Sequence, residues 1–455
     1  MNESIFYDLG VRSDYFLPLS GGAGQVGRDV FLGIRDGRIA KIAPWFSESW
    51  KARRFIEAKN QVVMPGLVNG HTHLPMTLFR GLADDLPFNE WLHQYIIPLE
   101  AKLVDPEFVR VGTELAALES IRSGVTTVCD MYFYEETIAD VLDRVGLRAL
   151  VSGAILDFPS PDNKDLSGVG FRTVERMCER FLSHPRITPC FGPHAPYTCG
   201  DETLRRVVKE ASRLGAPVVM HVAETAGEVD ASLKQHQKTP VKRLFDLGVL
   251  SQHSIFAHCV HLSDEDMELM AKTGTSAIYN PESNMKLSSG SAPVHRLLKN
   301  GVRVGIGTDG AASNNDLSIF REMDTGAKLQ KLMLQDNAAI SAHQMLKMAT
   351  QGGAAALGLG DETGSLEEGK AADFICVDLT EPHMRPIHNL ESLLVYSTTG
   401  LEVKTVVCHG KILMDDGEFK VLDPEEVYSQ VDRFKNKIQE NLPRSHVRSA
   451  ARRGQ

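Results

Sequence analysis

Between about residue 62 and residue 310, short β-branched runs alternate with longer amphipathic stretches, and the alternation repeats eight times. The runs cover residues 62–69, 126–131, 148–155, 187–191, 217–222, 254–260, 275–279 and 303–307. Helical patterns fill the gaps, among them 105–122, 201–214 and 263–273. In the second of these, Leu204, Val207, Val208 and Leu214 fall near helical spacing. Ser263 followed by Asp264, Glu265 and Asp266 reads as a capped helix start, with acids at the positive end of the helix dipole. Eight strand–helix units in about 250 residues match the count and length of a (β/α)8 barrel, with a doubly wound open sheet as the competing architecture.

The two chain ends are patterned differently. Residues 31–42 read as a hairpin around Asp36-Gly37. Residues 405–419 read as strands broken at His409-Gly410 and Asp415-Asp416-Gly417, and 372–377 adds another strand. Each end is too short to bury a core alone, so the two are expected to pair. The expected organisation is an α/β chain, a TIM-like (β/α)8 barrel with a small β-sandwich domain built from both ends. Its boundaries are 1–63 for the N-terminal part of the β-domain and 64–365 for the barrel. Residues 366–436 form the C-terminal part with a flanking helix, and 437–455 a tail.

Composition narrows the functional classes. With 49 basic and 59 acidic residues the net charge is −10, which opposes a general nucleic-acid binder. The basic stretch from Arg444 to Arg453 is short and rich in Ser and Ala, and reads as a frayed terminus. Seven scattered cysteines, none spaced as CxxC, argue against a disulfide framework and against a thiolate zinc site. Residues 1–16 lack a signal-peptide pattern, and no apolar run approaches the roughly 18 residues that span a bilayer. A reducing cytoplasm, with no membrane partner, is the expectation.

The chemistry-bearing residues sit where barrel strands end. Gly70-His71-Thr72-His73 follows the first run, and residues i and i+2 of a strand face one side, so both imidazoles can reach one metal. Alone, such a pair is as consistent with two ordinary histidines. His221, with Glu224 three residues on, His258 and Thr308-Asp309 lie at the ends of later runs. In a barrel these ends converge on the face where active sites are built. Imidazoles with a carboxylate suit a borderline-soft divalent ion such as zinc. The fourth run ends in Pro193-His194 and offers no lysine for a bridging carbamate, which favours a single metal. Glu224 reads equally as a proton shuttle beside the metal or as an exposed helix-start residue. Gly305-Ile306-Gly307-Thr308-Asp309-Gly310 matches GxGxxG literally, but it lies on the last run with no further strand and acid to follow, so a dinucleotide site is not expected. His236, His253 and His261 lack strand-end placement and read as surface or supporting residues. The His-x-Glu…Pro-Cys-x-x-Cys signature of cytidine-deaminase-type zinc sites is absent.

Taken together, Met64-Pro65-Gly66-Leu67-Val68-Asn69-Gly70-His71-Thr72-His73, His221-Val222-Ala223-Glu224-Thr225, Ala257-His258-Cys259 and Gly307-Thr308-Asp309-Gly310 resemble the amidohydrolase superfamily. The stretch from Leu359 to Asp373, with Gly364-Ser365-Leu366-Glu367-Glu368-Gly369-Lys370-Ala371-Ala372-Asp373, is similar to that superfamily's return into its β-domain. The likeness spans nearly the whole chain. Within the superfamily it is strongest to the 5′-methylthioadenosine/S-adenosylhomocysteine deaminases, through Met76-Thr77-Leu78-Phe79-Arg80-Gly81-Leu82-Ala83-Asp84-Asp85-Leu86-Pro87 and Gly192-Pro193-His194-Ala195-Pro196-Tyr197.

The resemblance implies hydrolytic deamination of an adenine nucleoside, 5′-methylthioadenosine and/or S-adenosylhomocysteine, to the inosine analogue and ammonia. It implies that His71, His73, His221 and Asp309 hold one divalent metal per chain, zinc by preference, with Fe2+ or Mn2+ able to use the same ligands. Asp309 would also take a proton from the attacking water, and His258 would orient and polarise that water. Glu224 would protonate the purine ring nitrogen beside the reacting carbon and then help carry a proton to ammonia. Glu100 would bind the ribose hydroxyls, His194 would contact the ribose region and Trp91 would line the pocket. A homo-oligomer is also implied. Some members carry a third-strand arginine that reaches a neighbouring subunit's substrate, whereas this chain reads Val151-Ser152-Gly153-Ala154, with Arg172 as the next candidate. Two rival readings stand beside this one. A related deaminase or chlorohydrolase would act on guanine, a pterin or a triazine, and a non-catalytic barrel would serve as a scaffold.

Overall fold

The computed structural model describes residues 6–165 and 168–442. The basic stretch expected as a frayed terminus lies outside them. Two eight-stranded sheets organise the chain. One is all parallel and runs in strict chain order: Leu67–Thr72, Val125–Tyr132, Arg148–Ile155, Ile187–Pro193, Val218–Val222, Ser254–His258, Ser276–Tyr279 and Val304–Ile306. These are the first to eighth barrel strands below. The sheet closes on itself: the Asp309 N–H donates to the His71 carbonyl at 2.9 Å, and Asn69 Nδ2 donates to Thr308 Oγ1 at 2.8 Å. The barrel is therefore the architecture, and the open doubly wound sheet is not.

A packed interior follows from the strand pattern. Val68, Cys129, Leu150, Cys190, Val219, Ile255 and Ile278, one from each of the first seven strands, meet in a single buried cluster. Ala354 and Leu357, in and just beyond helix Gln351–Ala356, close its lower end. Between strands, helices cover the outside with the caps their sequences provide. Asp105 caps Pro106–Arg122 through the Phe108 N–H, and Ser263 with Asp266 forms a reciprocal capping box on Asp264–Thr273.

The run expected at 62–69 is two strands rather than one. Lys51–Pro65 belongs to the small sheet, and the first barrel strand begins at Leu67. Gly66 makes the corner, where a Cβ would lie 2.1 Å from Thr126 Oγ1, so only glycine lets the chain pass from one sheet to the other.

The small sheet takes strands from both chain ends, in the order Glu418–Phe419, Lys411–Asp415, Val403–Cys408, Phe374–Asp378, Lys51–Pro65, Phe6–Phe16, Gly27–Arg35 and Arg38–Pro44. It folds over itself as a sandwich. The tip of the Asp36-Gly37 hairpin meets the His409-Gly410 turn although three strands intervene in sheet order, and the Ala372 N–H donates to the Gly37 carbonyl at 2.9 Å. Leu9, Val11, Leu32, Phe374 and Val407 share the resulting core. The last helix, Pro424–Asn441, runs past residue 436 and packs back on the barrel, with the Phe434 ring 5.4 Å from that of Phe108. Among the described residues no helix is long and apolar enough to cross a membrane.

Candidate active site

The expected metal-site residues are delivered to the C-terminal mouth of the barrel by strand ends. His71 closes the first strand with His73 just beyond it, His221 lies near the end of the fifth, His258 ends the sixth, and Asp309 follows the eighth. Four of them, His71, His221, His258 and Asp309, offer ligand atoms within 4.8 Å of one another. His73 stands at the edge of the same cluster, its Nε2 3.1 Å from Asp309 Oδ1 and 3.3 Å from His221 Nε2.

Hydrogen bonding sets which face each ring turns inward. His73 Nδ1 meets the Met131 carbonyl and His221 Nδ1 meets the His194 carbonyl, at 2.8 Å for His221. A carbonyl only accepts, so each Nδ1 carries a proton and each Nε2 is the atom turned inward, where a metal would replace any proton it holds. His258 is the reverse case. The Asn284 amide nitrogen donates to its Nδ1 at 3.0 Å, which leaves the proton on Nε2, 3.9 Å from Glu224 Oε2. His71 is fully buried and neither ring nitrogen has a hydrogen-bond partner, an expensive state for an imidazole unless something binds it.

Asp309 is fixed from behind. Its Oδ2 accepts the hydroxyls of Ser283 and Ser313, both at 2.7 Å, leaving Oδ1 toward the histidines. Burial works against its charge, but His71 and His73 outweigh it and hold the carboxyl far below the usual range. Burial lowers His71 to about 4, His258 to about 4 and His194 to about 3, and it drives His221 well down. In His73 burial is overcome by the hydrogen bond and charge of Asp309, which lift it to about 9. The residues fit a divalent cation: inward Nε2 atoms, an ionised carboxylate oxygen between two imidazoles, and a buried ring without a hydrogen bond.

Glu224 is buried, not exposed, so the helix-start alternative does not hold. Its Oε1 accepts the Ser289 hydroxyl at 3.4 Å, and burial followed by the Asp309 charge raises it to about 8. Trp91, Glu100 and His194 line one cavity together with His73, His221, Glu224, His258 and Asp309. Trp91 and Glu100 come from a lid of abutting helical segments, Phe88–Glu90, Trp91–Ile96 and Ile97–Leu103. The middle segment is a widened turn directly before Pro98, whose missing N–H interrupts the regular ladder. Glu100 Oε1 accepts the Tyr132 hydroxyl at 2.7 Å, and burial raises its carboxyl to about 7. Arg172 is exposed on helix Val169–Arg180 and takes no part in this cavity.

A model of the amidohydrolase family matches residues 62–413. The chain belongs to the amidohydrolase family. This amidohydrolase is 44% identical over 402 residues to the 5-methylthioadenosine/S-adenosylhomocysteine deaminase of Syntrophobacter fumaroxidans, covering 88% of this chain and 91% of the relative. It is 43% identical over 428 residues to the 5′-deoxyadenosine deaminase of Methanosarcina mazei, covering 94% and 97%. Among solved structures, an adenosine deaminase from Xanthomonas campestris with bound zinc superposes with a TM-score of 0.93 at 38% identity, over 96% of this chain and 99% of that one.

Several supporting residues of this amidohydrolase carry no sequence signal. Glu228 is the clearest: its Oε1 and Oε2 accept the Ala223 and Glu224 N–H groups, both at 2.9 Å, and hold Ala223 at φ 53. Its place four residues after Glu224 in a helix start is the one hint the sequence offered. Asp130 binds the Leu74 N–H just after His73, and Asn284 sets the His258 tautomer. His261, read as a supporting residue, bonds the Ser289 carbonyl at 2.7 Å behind Glu224, while His253 is exposed. The literal GxGxxG serves closure: a Cβ on Gly307 would sit 2.6 Å from the His71 backbone nitrogen.

Proposed function

We propose that this amidohydrolase deaminates an adenine nucleoside, 5′-methylthioadenosine and/or S-adenosylhomocysteine, to the inosine analogue and ammonia. The observation that carries this reading is a buried carboxyl, Glu224, beside a convergent His/Asp cage in a cavity that also holds Glu100. His71, His73, His221 and Asp309 would hold one divalent ion, zinc by preference. The Nδ1 hydrogen bonds of His73 and His221, which turn each Nε2 inward, support that set, and His258, with Nε2 3.9 Å from Glu224 Oε2, is assigned to the reacting water instead. An ion in such a cage supplies a water of lowered pKa, reactive at neutral pH.

The chain's own groups do the rest. His258 turns its Nε2–H toward the reacting water and orients it. Asp309, ionised and fixed by Ser283 and Ser313, accepts a proton through Oδ1. Glu224 keeps its proton in its buried setting and donates it to the ring nitrogen next to the amino-bearing carbon, making that carbon electrophilic. The same carboxyl then carries a proton to the departing ammonia. Glu100 uses Tyr132 as a brace and accepts the vicinal ribose hydroxyls, while Trp91 and His194 bound the sugar side. A guanine, pterin or triazine substrate has no ribose and would leave Glu100 with Tyr132 alone. Seven free cysteines suit a reducing cytoplasm.

The test is ultraviolet absorbance of metal-replete enzyme with 5′-methylthioadenosine. Chelator-sensitive loss of the adenine band is expected. An unchanged spectrum from protein holding one metal per chain would overturn the nucleoside assignment.

A further inference from the structure

The cage accounts for the purine end of a nucleoside, and Glu100 for the ribose. What remains of the cavity must meet the 5′ substituent. Away from the cage its lining is Met76, Phe88, Leu92, Ile96, Phe133 and Leu287, with Ala154 at the end of the third strand. A second cavity adjoins it, sharing Phe88, Leu92 and Leu287 and continuing past His93, Glu228 and His261. Neither lining contains a lysine or an arginine. The acidic groups are Glu100, Glu224 and Asp309 in the first and Glu224 and Glu228 in the second.

Cations close in sequence to this lining are engaged elsewhere. Lys286 donates to Asp84 at 2.8 Å and to Asn315 at 2.7 Å. Arg80 is paired with Glu119, and Arg172 lies on the outer helix layer. At the N-terminus of helix Ala226–His236, Thr225 Oγ1 accepts the Glu228 N–H at 3.2 Å, and the Glu228 carboxylate in the first turn would repel a second anion there. An ammonium on a long 5′ substituent could find a carboxylate in this space. A carboxylate would find no lysine or arginine in either lining, and it would face Glu224 and Glu228. Burying an unpaired carboxylate is the dominant cost in such a comparison, whereas a short thioether or methyl group gains by covering Phe88 and Leu92.

We propose that this site selects adenine nucleosides with an uncharged, apolar 5′ substituent and discriminates against the amino-acid tail of S-adenosylhomocysteine. The proposal rests on the nucleoside-deaminase reading above and on these two cavities as lined by the described residues. Beyond them, Arg243 past Tyr197 is committed to Asp201 at 2.7 Å, and Arg206 past Ala154 lies over the Phe171 ring.

The experiment compares kcat/KM for 5′-methylthioadenosine, 5′-deoxyadenosine, S-adenosylhomocysteine and 5′-butylthioadenosine, the last matching homocysteine in length without its charges. The three uncharged substrates are expected within about tenfold of one another, and S-adenosylhomocysteine at least about 10²-fold below butylthioadenosine. S-adenosylhomocysteine within tenfold of butylthioadenosine would overturn the proposal, whether the missing cation came from solvent or from a second copy of the chain. Equal loss for both long tails would overturn it too, since length and not charge would then decide. Failure of all four, in protein that binds metal, would instead remove the deaminase reading beneath it.

Discussion

The two ends of the barrel treat buried polar groups in opposite ways. At the lower end Arg148, the first residue of the third strand, is 3% exposed in its side chain, and its partner Asp373 is fully buried. Every contact there is completed internally. Arg148 Nε donates to Asp373 Oδ2 at 2.7 Å, Nη1 donates to the Pro185 carbonyl at 2.7 Å, and Asp373 Oδ1 accepts the His409 N–H at 2.6 Å. At the upper end His71 is as deeply buried, yet neither of its ring nitrogens has a hydrogen bond, and Asp309 Oδ1 stands off at 3.4 Å from Nε2. Burial of polar groups is tolerated when the fold satisfies them, so the lower pair is a fastening between barrel and sandwich. The upper group is left incomplete by the fold and awaits something from outside it. The same physics separates a joint from an active site.

That contrast can be broken from either end, and the largest effect is expected at the top. Glu224→Gln should lower kcat by about 10²–10⁴-fold while metal content and melting temperature stay at wild-type values. Steady-state kinetics beside elemental analysis checks this, and full activity in the variant would remove Glu224 from the mechanism. At the bottom, Arg148→Ala strands a buried carboxylate and should cost about 3–5 kcal/mol of stability in denaturant titration. Its turnover per folded molecule at low temperature should not change. An Arg148→Ala enzyme that is stable but inactive would mean that the two ends are coupled.

Glu228→Gln sharpens the comparison further, since a satisfied buried acid is here placed at the upper end. One of its two backbone N–H partners would face an amide NH2 instead of an oxygen. A fall in kcat of about ten- to a hundredfold, with KM little changed, is expected from the misplaced Glu224. A change confined to melting temperature would make Glu228 a joint like Asp373. The smallest effect is acid sensitivity at the bottom. Burial alone would raise the Asp373 carboxyl, but Arg148 more than offsets it and the group titrates below its usual value. A depressed folded value means the pair's contribution is complete above about pH 4 and is lost as pH falls through the depressed value. Replacing Asp373 by Asn should flatten stability against pH in that window.

The upper end was far more legible in the sequence than the lower. Barrel strands announce themselves as β-branched runs between helical patterns, and the functional histidines sit where those runs stop. His71, His73, His221, His258 and Asp309 could therefore be gathered before any coordinates. Their relation to each other was less legible, because ring orientation depends on the Met131 and His194 carbonyls and on the Asn284 amide, which no spacing reveals. Gly66 was hidden for a similar reason, since its requirement is imposed by Thr126 on a neighbouring strand. The Arg148–Asp373 pair joins residues 225 apart and leaves no local pattern at all.

The seam of the barrel has a consequence for how the molecule comes into being. Asn69 and Thr308, whose side chains meet across it, are separated by 239 residues. Closing a loop of that length costs about 5 kcal/mol in chain entropy, and the three-residue strand Val304–Ile306 offers few backbone bonds in return. His71 and His73 belong to one lip of this seam and Asp309 to the other. On the ribosome the first lip emerges long before the second, so the ring is joined last and a nascent chain carries only part of its cage until residue 309 has been made.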